Sequence, residues 1–297
     1  MKFGFVALGG RPNVGKSTLL NRLMGRKLAI VSDKPQTTRT RIIGVKNLEG
    51  GQIVYTDTPG IHRPLHRMNI RMVDAALESL RQADVLGVLV DSSARVGRGD
   101  RFLVGLLRDV KQPVFLILNK IDLVPKPTLL PLIEGYRHAY GFAEIVPVSA
   151  LTGDNVDRLE RLFLDYLPEG QPMYPTDYVT DQPERAFIAE IVREKVLANT
   201  YGELPFASTV IVDLFEEPDG KGVIRTYCSI LVDRESQKPI VVGRGGEMIK
   251  RIGTAAREDL EVFFGARVFL DLRVKVRAEW REDDRVLDEM GVPRREM

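Results

Sequence analysis

The sequence is short of thiols and imidazoles: 297 residues contain one cysteine, Cys228, and three histidines. A single thiol excludes an internal disulfide and fits a reducing compartment. With the histidines scattered, the sequence offers no zinc-ligand cluster. Cys228 lies in the alternating run Tyr227-Cys228-Ser229-Ile230, which reads as a buried small hydrophobe rather than a nucleophile. Long apolar runs are also missing, none reaching the ~18 residues needed to span a bilayer. The chain enters a strand-like run at Phe3–Leu8 with no basic segment and cleavage site before it, so a secretory signal is not expected. These absences predict a cytoplasmic protein. Excess charge of one sign is lacking too: the net charge is +2, so any surface for nucleic acid must be local rather than global. Internal repeats and low-complexity segments are absent. Hydrophobic residues at 44% and charged residues at 28% are those of an ordinary globular protein, long enough for two domains.

The first half alternates β-branched runs with amphipathic stretches. Strands are predicted at Phe3–Leu8, Ile42–Leu48, Gln52–Tyr55, Val85–Val90, Val114–Leu118 and Glu144–Val148. Helices are predicted at Lys16–Met24, Arg67–Arg81, Asp100–Val110, Leu129–Tyr140 and Asn155–Tyr166. Such alternation implies βαβ units and a mostly parallel sheet with helices on both faces. Glu49-Gly50-Gly51 predicts one antiparallel hairpin within it. The proline-punctuated stretch 168–183 reads as a linker between a first domain, 1–167, and a second, 184–297. The second unit reads α-β-β-α-β: helix Glu184–Asn199, strands Ser208–Glu216 and Gly222–Val232, helix Met248–Phe264, strand Val268–Val276. That order is an α+β domain.

Gly10-Arg11-Pro12-Asn13-Val14-Gly15-Lys16-Ser17-Thr18 carries G-x-x-x-x-G-K-S between a strand and a helix. There, backbone N–H groups and the helix amino terminus converge on a β-phosphate. Lys16 is expected at the β/γ oxygens and the Ser17 hydroxyl on Mg²⁺. The base is named by Asn119-Lys120-Ile121-Asp122. A carboxylate at Asp122 accepts from both guanine N1–H and the N2 amine, a pair that adenine lacks. Asn119 is expected to tie this loop to the phosphate loop, with Lys120 over the base. Asp57-Thr58-Pro59-Gly60 follows a strand, placing Asp57 to hold Mg²⁺ and the Gly60 N–H to meet the γ-phosphate. Ser149-Ala150 closes on the guanine. In the polar stretch Pro35-Gln36-Thr37-Thr38-Arg39-Thr40, one threonine should close over Mg²⁺ in a nucleotide-dependent manner: Thr38, with Thr37 as the alternative. Catalysis is thereby assigned to Lys16, Thr38 and Gly60.

Ile61 occupies the position where many GTPases place the glutamine that orients water. Hydrolysis is therefore expected to be slow, resting on Mg²⁺, Lys16 and backbone donors, or on a group supplied from elsewhere. In related translation-associated GTPases an asparagine at the position of Asn13 helps to hold K⁺, which predicts K⁺ stimulation. His62 reads as a solvent-facing loop residue rather than a base.

The second half contains Gly243-Arg244-Gly245-Gly246, a G-x-x-G loop, with an apolar strand before it and a helix after. Glycines allow close approach to a nucleic-acid backbone, and Arg244, Lys250, Arg251 and Arg257 supply charge. On the last strand, Arg273, Lys275 and Arg277 share one face; they read either as a basic stripe or as a solvated face. Trp280 reads either as a base-stacking ring or as packing at the end of the sheet.

With both halves read, the chain resembles the bacterial Era GTPase family over nearly its whole length. The resemblance lies in Gly10–Ser17 with Thr18-Leu19-Leu20-Asn21, Gln36-Thr37-Thr38-Arg39, Asp57–Gly60, Asn119–Asp122, Val242–Ile252 and Trp280-Arg281-Glu282-Asp283-Asp284. Leu8-Gly9 departs from the valine-glycine of many relatives. The resemblance implies a Ras-like GTPase domain with a type II K-homology (KH) domain, monomeric, with GTP, GDP and Mg²⁺ as ligands. It also implies binding near the 3′ end of small-subunit ribosomal RNA during 30S subunit assembly, and peripheral attachment to the inner face of the cell membrane. Two other readings fit less well. A constitutive RNA-binding protein would not need Lys16, Ser17, Asp57 and Asp122 intact, and a tRNA-modification or trafficking GTPase lacks this G-x-x-G module.

Overall fold

The computed structural model describes residues 1–34, 37–61, 66–218 and 222–294. Pro35, Gln36 and His62 of the sequence reading lie outside them. The first unit comprises β1 (Lys2–Gly10), α1 (Lys16–Met24), β2 (Ile42–Leu48), β3 (Gly51–Asp57), α2 (Arg67–Gln82), β4 (Val85–Asp91) and α3 (Arg98–Leu106). It continues with β5 (Val114–Asn119), α4 (Leu129–Ala139), β6 (Glu144–Pro147) and α5 (Val156–Tyr166). The strands lie in the order β2-β3-β1-β4-β5-β6. Only the β2–β3 pair is antiparallel, as the Glu49-Gly50-Gly51 turn predicts. The inner strands are apolar throughout because both faces are covered. Helices α1 and α5 close one face around Leu19, Leu20, Leu159 and Phe163; α2, α3 and α4 close the other. The parallel strands all end at the same edge, which is where open α/β sheets bind ligands.

The second unit comprises α6 (Glu184–Asn199), α7 (Leu204–Ala207), β7 (Ser208–Glu216), β8 (Val223–Val232), α8 (Lys238–Val242), α9 (Glu247–Phe264), β9 (Arg267–Val276) and α10 (Asp284–Glu289). Strand β8 is central, antiparallel to β7 and parallel to β9. One face is packed by α6 and α9 through Ile188, Ile191, Ile252, Ala256 and Leu260. The expected strand before the glycine loop is instead the short helix α8. Pro239 sits in its first turn, where a fixed φ favours helix, and buried Val241 packs inward; this overrides the β-propensity of Ile240-Val241-Val242. Cys228 is buried, and burial pushes its thiol up to about 12.

The two units share buried contacts. Trp280 is fully buried with Met68 and Met72 of α2 and Leu287 of α10, and its Nε1 donates to Ala207 O at 3.0 Å. It is a packing residue, not a base platform. The other ambiguity on this unit resolves likewise: Arg273, Lys275 and Arg277 are matched by Asp271, Asp213 and Asp283, so the last strand carries no free basic stripe.

Candidate functional site

The edge of the first sheet gathers the residues that the sequence singles out. Gly10 ends β1, and Arg11–Gly15 turn the chain into α1, with Asn13 at φ 64° and Gly15 at φ 97°. Gly15 is required twice over: its φ is left-handed, and a Cβ there would come within 2.3 Å of Asn119 Nδ2. Lys16 is buried, its Nζ turned back onto the carbonyls of Gly10 (3.3 Å) and Arg11 (3.0 Å). Burial lowers its pKa, opposed by the charge of Asp57. At the end of β3, Asp57 is fully buried. Its Oδ2 accepts from Ser17 Oγ at 2.7 Å and Thr38 Oγ1 at 3.2 Å, and the two hydroxyls are 2.8 Å apart. Burial raises the Asp57 pKa; Lys16 and the hydrogen bonds from Ser17, Thr38 and the Thr58 amide oppose that rise. The Thr37 hydroxyl instead donates to Lys34 O at 2.7 Å, so Thr38, not Thr37, joins Ser17 and Asp57.

Thr58 Oγ1 donates to Leu8 O at 2.9 Å, and Gly60 is so close to the phosphate loop that a Cβ would meet Pro12 N at 2.8 Å. Ile61 is buried among Ala7, Ala76 and Leu80, so its side chain is directed into the core. Asn119 links three loops: its Nδ2 donates to Val14 O (2.8 Å) and its Oδ1 accepts from Ala150 N (2.9 Å). Asp122 accepts from Ser149 Oγ at 2.6 Å. Lys120 pairs with Asp91 at 2.7 Å. Burial pulls the Asp91 pKa up, but hydrogen bonds from Lys120 and Ser93 outweigh it and hold it below the usual carboxylate range.

A cavity of about 380 Å³ opens between the phosphate loop and the segment that follows α1. It is lined by Pro12, Asn13, Gly15–Thr18, Thr37, Thr38, Gly60 and Lys120, and by Ile30, Val31, Ser32 and Asp33. The last four were missed from sequence, as was Asp91. Asn13 Nδ2 donates to Asp33 O at 2.7 Å, a contact between loops with no local signal. Asp91 had one: it ends a strand at the sheet edge that binds ligands. Arg11 reaches away from the cavity to pair with Asp100 at 2.8 Å.

The glycine loop of the second unit is left-handed at Gly243 (φ 76°), Gly245 (φ 58°) and Gly246 (φ 84°). A Cβ at Gly243 would strike Met248 at 2.6 Å, whereas those at 245 and 246 would meet nothing. Gly243 therefore shapes the turn, and the other two leave its outer side open. Arg244, Lys250, Arg251 and Arg257 are exposed around it.

Three consecutive residues join the units. Thr37 O accepts from Arg193 of α6. Thr38 lies on Ser17 and Asp57 as above. Both terminal nitrogens of Arg39 donate to Ser208 O, each at 3.2 Å, and its guanidinium lies 5.2 Å from the Trp280 ring centre. Nearby, Lys27 bridges Glu194 and Asp259 at 2.5 and 2.8 Å. Elsewhere between the units, Arg71 of α2 pairs with Asp284 (2.5 Å) and Asp288 (2.9 Å).

A phosphate loop, an N-K-x-D base loop and a buried Mg²⁺-type oxygen cluster on one sheet edge define the class: a P-loop GTPase, here with a carboxy-terminal KH domain. Residues 5–120 match the family described as 50S ribosome-binding GTPase, and residues 204–281 match the KH domain. GTPase Era of Geotalea daltonii is 50% identical over 97% of each chain. GTPase Era of Staphylococcus haemolyticus is 46% identical over 98% of this chain and 97% of its own. A crystal structure of Era in complex with MgGDPNP and nucleotides 1506–1542 of 16S ribosomal RNA aligns at a TM-score of 0.95 and 41% identity, over 98% of this chain and 99% of that one. An Aquifex aeolicus Era variant bound to GDP and aluminium fluoride aligns at 0.94. The chain belongs to the Era family of GTPases.

Proposed function

We propose that this GTPase grips a single-stranded segment near the 3′ end of small-subunit ribosomal RNA, that its nucleotide state sets that grip, and that it serves 30S assembly. The observation that carries this reading is the triplet Thr37-Thr38-Arg39. Its middle residue belongs to the Ser17–Asp57 cluster and its neighbours are held by Arg193 and by the first residue of β7. A ligand that repositions Thr38 must therefore load contacts to the KH domain.

Mg²⁺ fits the site. Ser17, Thr38 and Asp57 offer an all-oxygen set suited to a hard cation, and Asp57 Oδ1 is buried without a well-formed hydrogen bond of its own. When bound, the ion neutralises charge on the β- and γ-oxygens. Lys16, held on two phosphate-loop carbonyls, turns to the phosphates. The N–H groups of residues 13–18 cradle them, and Asp122 with Ser149 and Ala150 reads the guanine. Gly60 offers its N–H at the γ-position. Because Ile61 is committed to the core, no side chain at that position orients water, and intrinsic hydrolysis is slow. Asn13 serves as a K⁺ ligand in this account: hydrolysis in K⁺ buffer is expected to exceed that in Na⁺ by at least about tenfold and to lose the difference in Asn13→Ala. Equal rates in the two buffers count against that role.

The RNA lies against Gly243–Gly246 with Arg244, Lys250, Arg251 and Arg257 on its phosphates. Gly245→Asp is expected to weaken RNA binding by at least about tenfold, through a charge placed against the phosphate backbone, with the circular dichroism spectrum unchanged because aspartate is among the side chains that best tolerate a left-handed φ and the position opens onto free space. Unchanged affinity would remove the loop from the interface. Domain limits of 1–167 and 184–297 about the 168–183 linker, a monomeric state and a cytoplasmic location at the inner membrane face complete the proposal. Among the described residues no helix is long and apolar enough to cross a membrane. The test is binding of a labelled RNA oligonucleotide with the 3′-terminal sequence of 16S ribosomal RNA. Equal affinity for that oligonucleotide and an unrelated one would favour a GTPase that does not act on the ribosome.

A further inference from the structure

Helix α3 and the loops that flank it expose Arg95, Arg98, Arg101 and Arg108, none of which has an ion-pair partner among the described residues. Like the basic residues around the glycine loop, these four make a local patch of unpaired positive charge in a chain whose net charge is +2. Between these arginines stand exposed Val96 and Phe102, the latter 52% exposed. Beside them a cleft of about 350 Å³ runs between α3 and α4, with Val104, Leu132 and Tyr136 in its walls and Arg101 and Arg108 on its rim.

Two glycines line the same cleft. Gly105 lies in the last turn of α3 and Gly135 in the middle of α4, and a Cβ at either would meet nothing within 4 Å. Glycine inside a helix is less favourable than alanine, and no packing in the chain repays it here. Bare backbone at both walls admits a close approach from outside. Phosphates need the arginines but not an apolar cleft floored by glycine. An amphipathic helix needs both: apolar anchors for the cleft and carboxylates for its rim.

One ion pair joins the cleft to the phosphate loop. Asp100 lines it, caps the amino terminus of α3 by accepting from Gly97 N at 2.8 Å, and pairs with Arg11 of the phosphate loop. We propose that the α3–α4 cleft is a docking site for an acidic amphipathic helix of a partner protein, and that docking alters nucleotide release through Asp100 and Arg11. The second half rests on the nucleotide-site reading above. The first does not, because docking is measured on nucleotide-free protein, so the two can fail separately.

Random peptides displayed on phage are selected against the full chain, and the enriched sequences are synthesised and measured by fluorescence anisotropy. The expected winners place Asp or Glu beside Leu, Phe or Trp. Arg101→Glu with Arg108→Glu, and separately Gly135→Leu, should each weaken their binding by at least about tenfold. Gly135→Leu fills open space on a helix with a good helix former, so the fold is kept, which the unfolding midpoint verifies. Bound peptide should change the release rate of a fluorescent GDP by at least about fivefold. Absence of enrichment, winners without acidic residues, or binding that both variants retain would overturn the docking site. So would an RNA duplex whose binding is lost in the arginine variant and kept in Gly135→Leu, which would assign the face to nucleic acid. An unchanged GDP release rate would overturn the link to the phosphate loop.

Discussion

Asp122→Asn is expected to lower the affinity for GTP by about 10³-fold or more and to raise that for xanthosine triphosphate, because in the proposed site one carboxylate reads the base. The carboxylate accepts from N1–H and the N2 amine together; an asparagine amide turns a donor toward one of them and leaves it unmatched. Xanthine carries a carbonyl at that carbon and accepts from the amide. The position is suited to such an exchange. Asp122 is fixed by Ser149 Oγ at 2.6 Å, and the loop around it is fixed separately by Asn119 on Val14 O and Ala150 N, so the substitution should not collapse the loop. Titration of fluorescent GDP and xanthosine diphosphate against both proteins measures the effect. Equal losses for the two nucleotides would mean that Asp122 supports the loop rather than reads the base.

The second large effect concerns Arg39. Its guanidinium is buried, supplies both hydrogen bonds to Ser208 O and lies over the Trp280 ring. Burial, followed by the neighbouring charge of Arg193, drives its pKa well down, with Glu190 opposing. Arg39→Ala removes a charged donor pair and a desolvated cation–π contact and leaves a buried carbonyl unmet, a loss of about 3 kcal/mol in stability. The same substitution detaches the Thr38 segment from β7. Both the unfolding midpoint and the nucleotide dependence of RNA binding should therefore fall. A lower midpoint with that dependence intact would make Arg39 a structural residue only.

Much of this was legible in the sequence, for reasons that vary by region. The strands of the first sheet were readable because both its faces are covered, so β-branched runs stand out between amphipathic helices. The GTP-site loops cluster because Gly10, Asp57 and Asn119 each close a strand at one edge, and βαβ topology brings such ends together whatever the loops do. Helix α8 was misread, since Ile240-Val241-Val242 favours a strand until Pro239 and the turn at Gly243 are considered together. The basic face of β9 could not be judged from its own alternation. Asp213 and Asp283, which neutralise Lys275 and Arg277, lie on β7 and in the tail. Least legible were the contacts of Arg39 with Ser208, Arg193 with Thr37 and Arg71 with Asp284. They join residues more than a hundred positions apart, and no periodicity encodes such a pairing.

Those contacts carry the central claim, that the nucleotide sets the grip on RNA through Thr37-Thr38-Arg39. Its most direct test is the affinity of the full chain for the 3′-terminal 16S oligonucleotide, measured with a non-hydrolysable GTP analogue and with GDP, in wild type and in Arg193→Ala. The account predicts at least about a tenfold difference between the two nucleotides in wild type, shrinking to about twofold or less in the variant. Equal affinities in wild type, or a full difference surviving in Arg193→Ala, would contradict it.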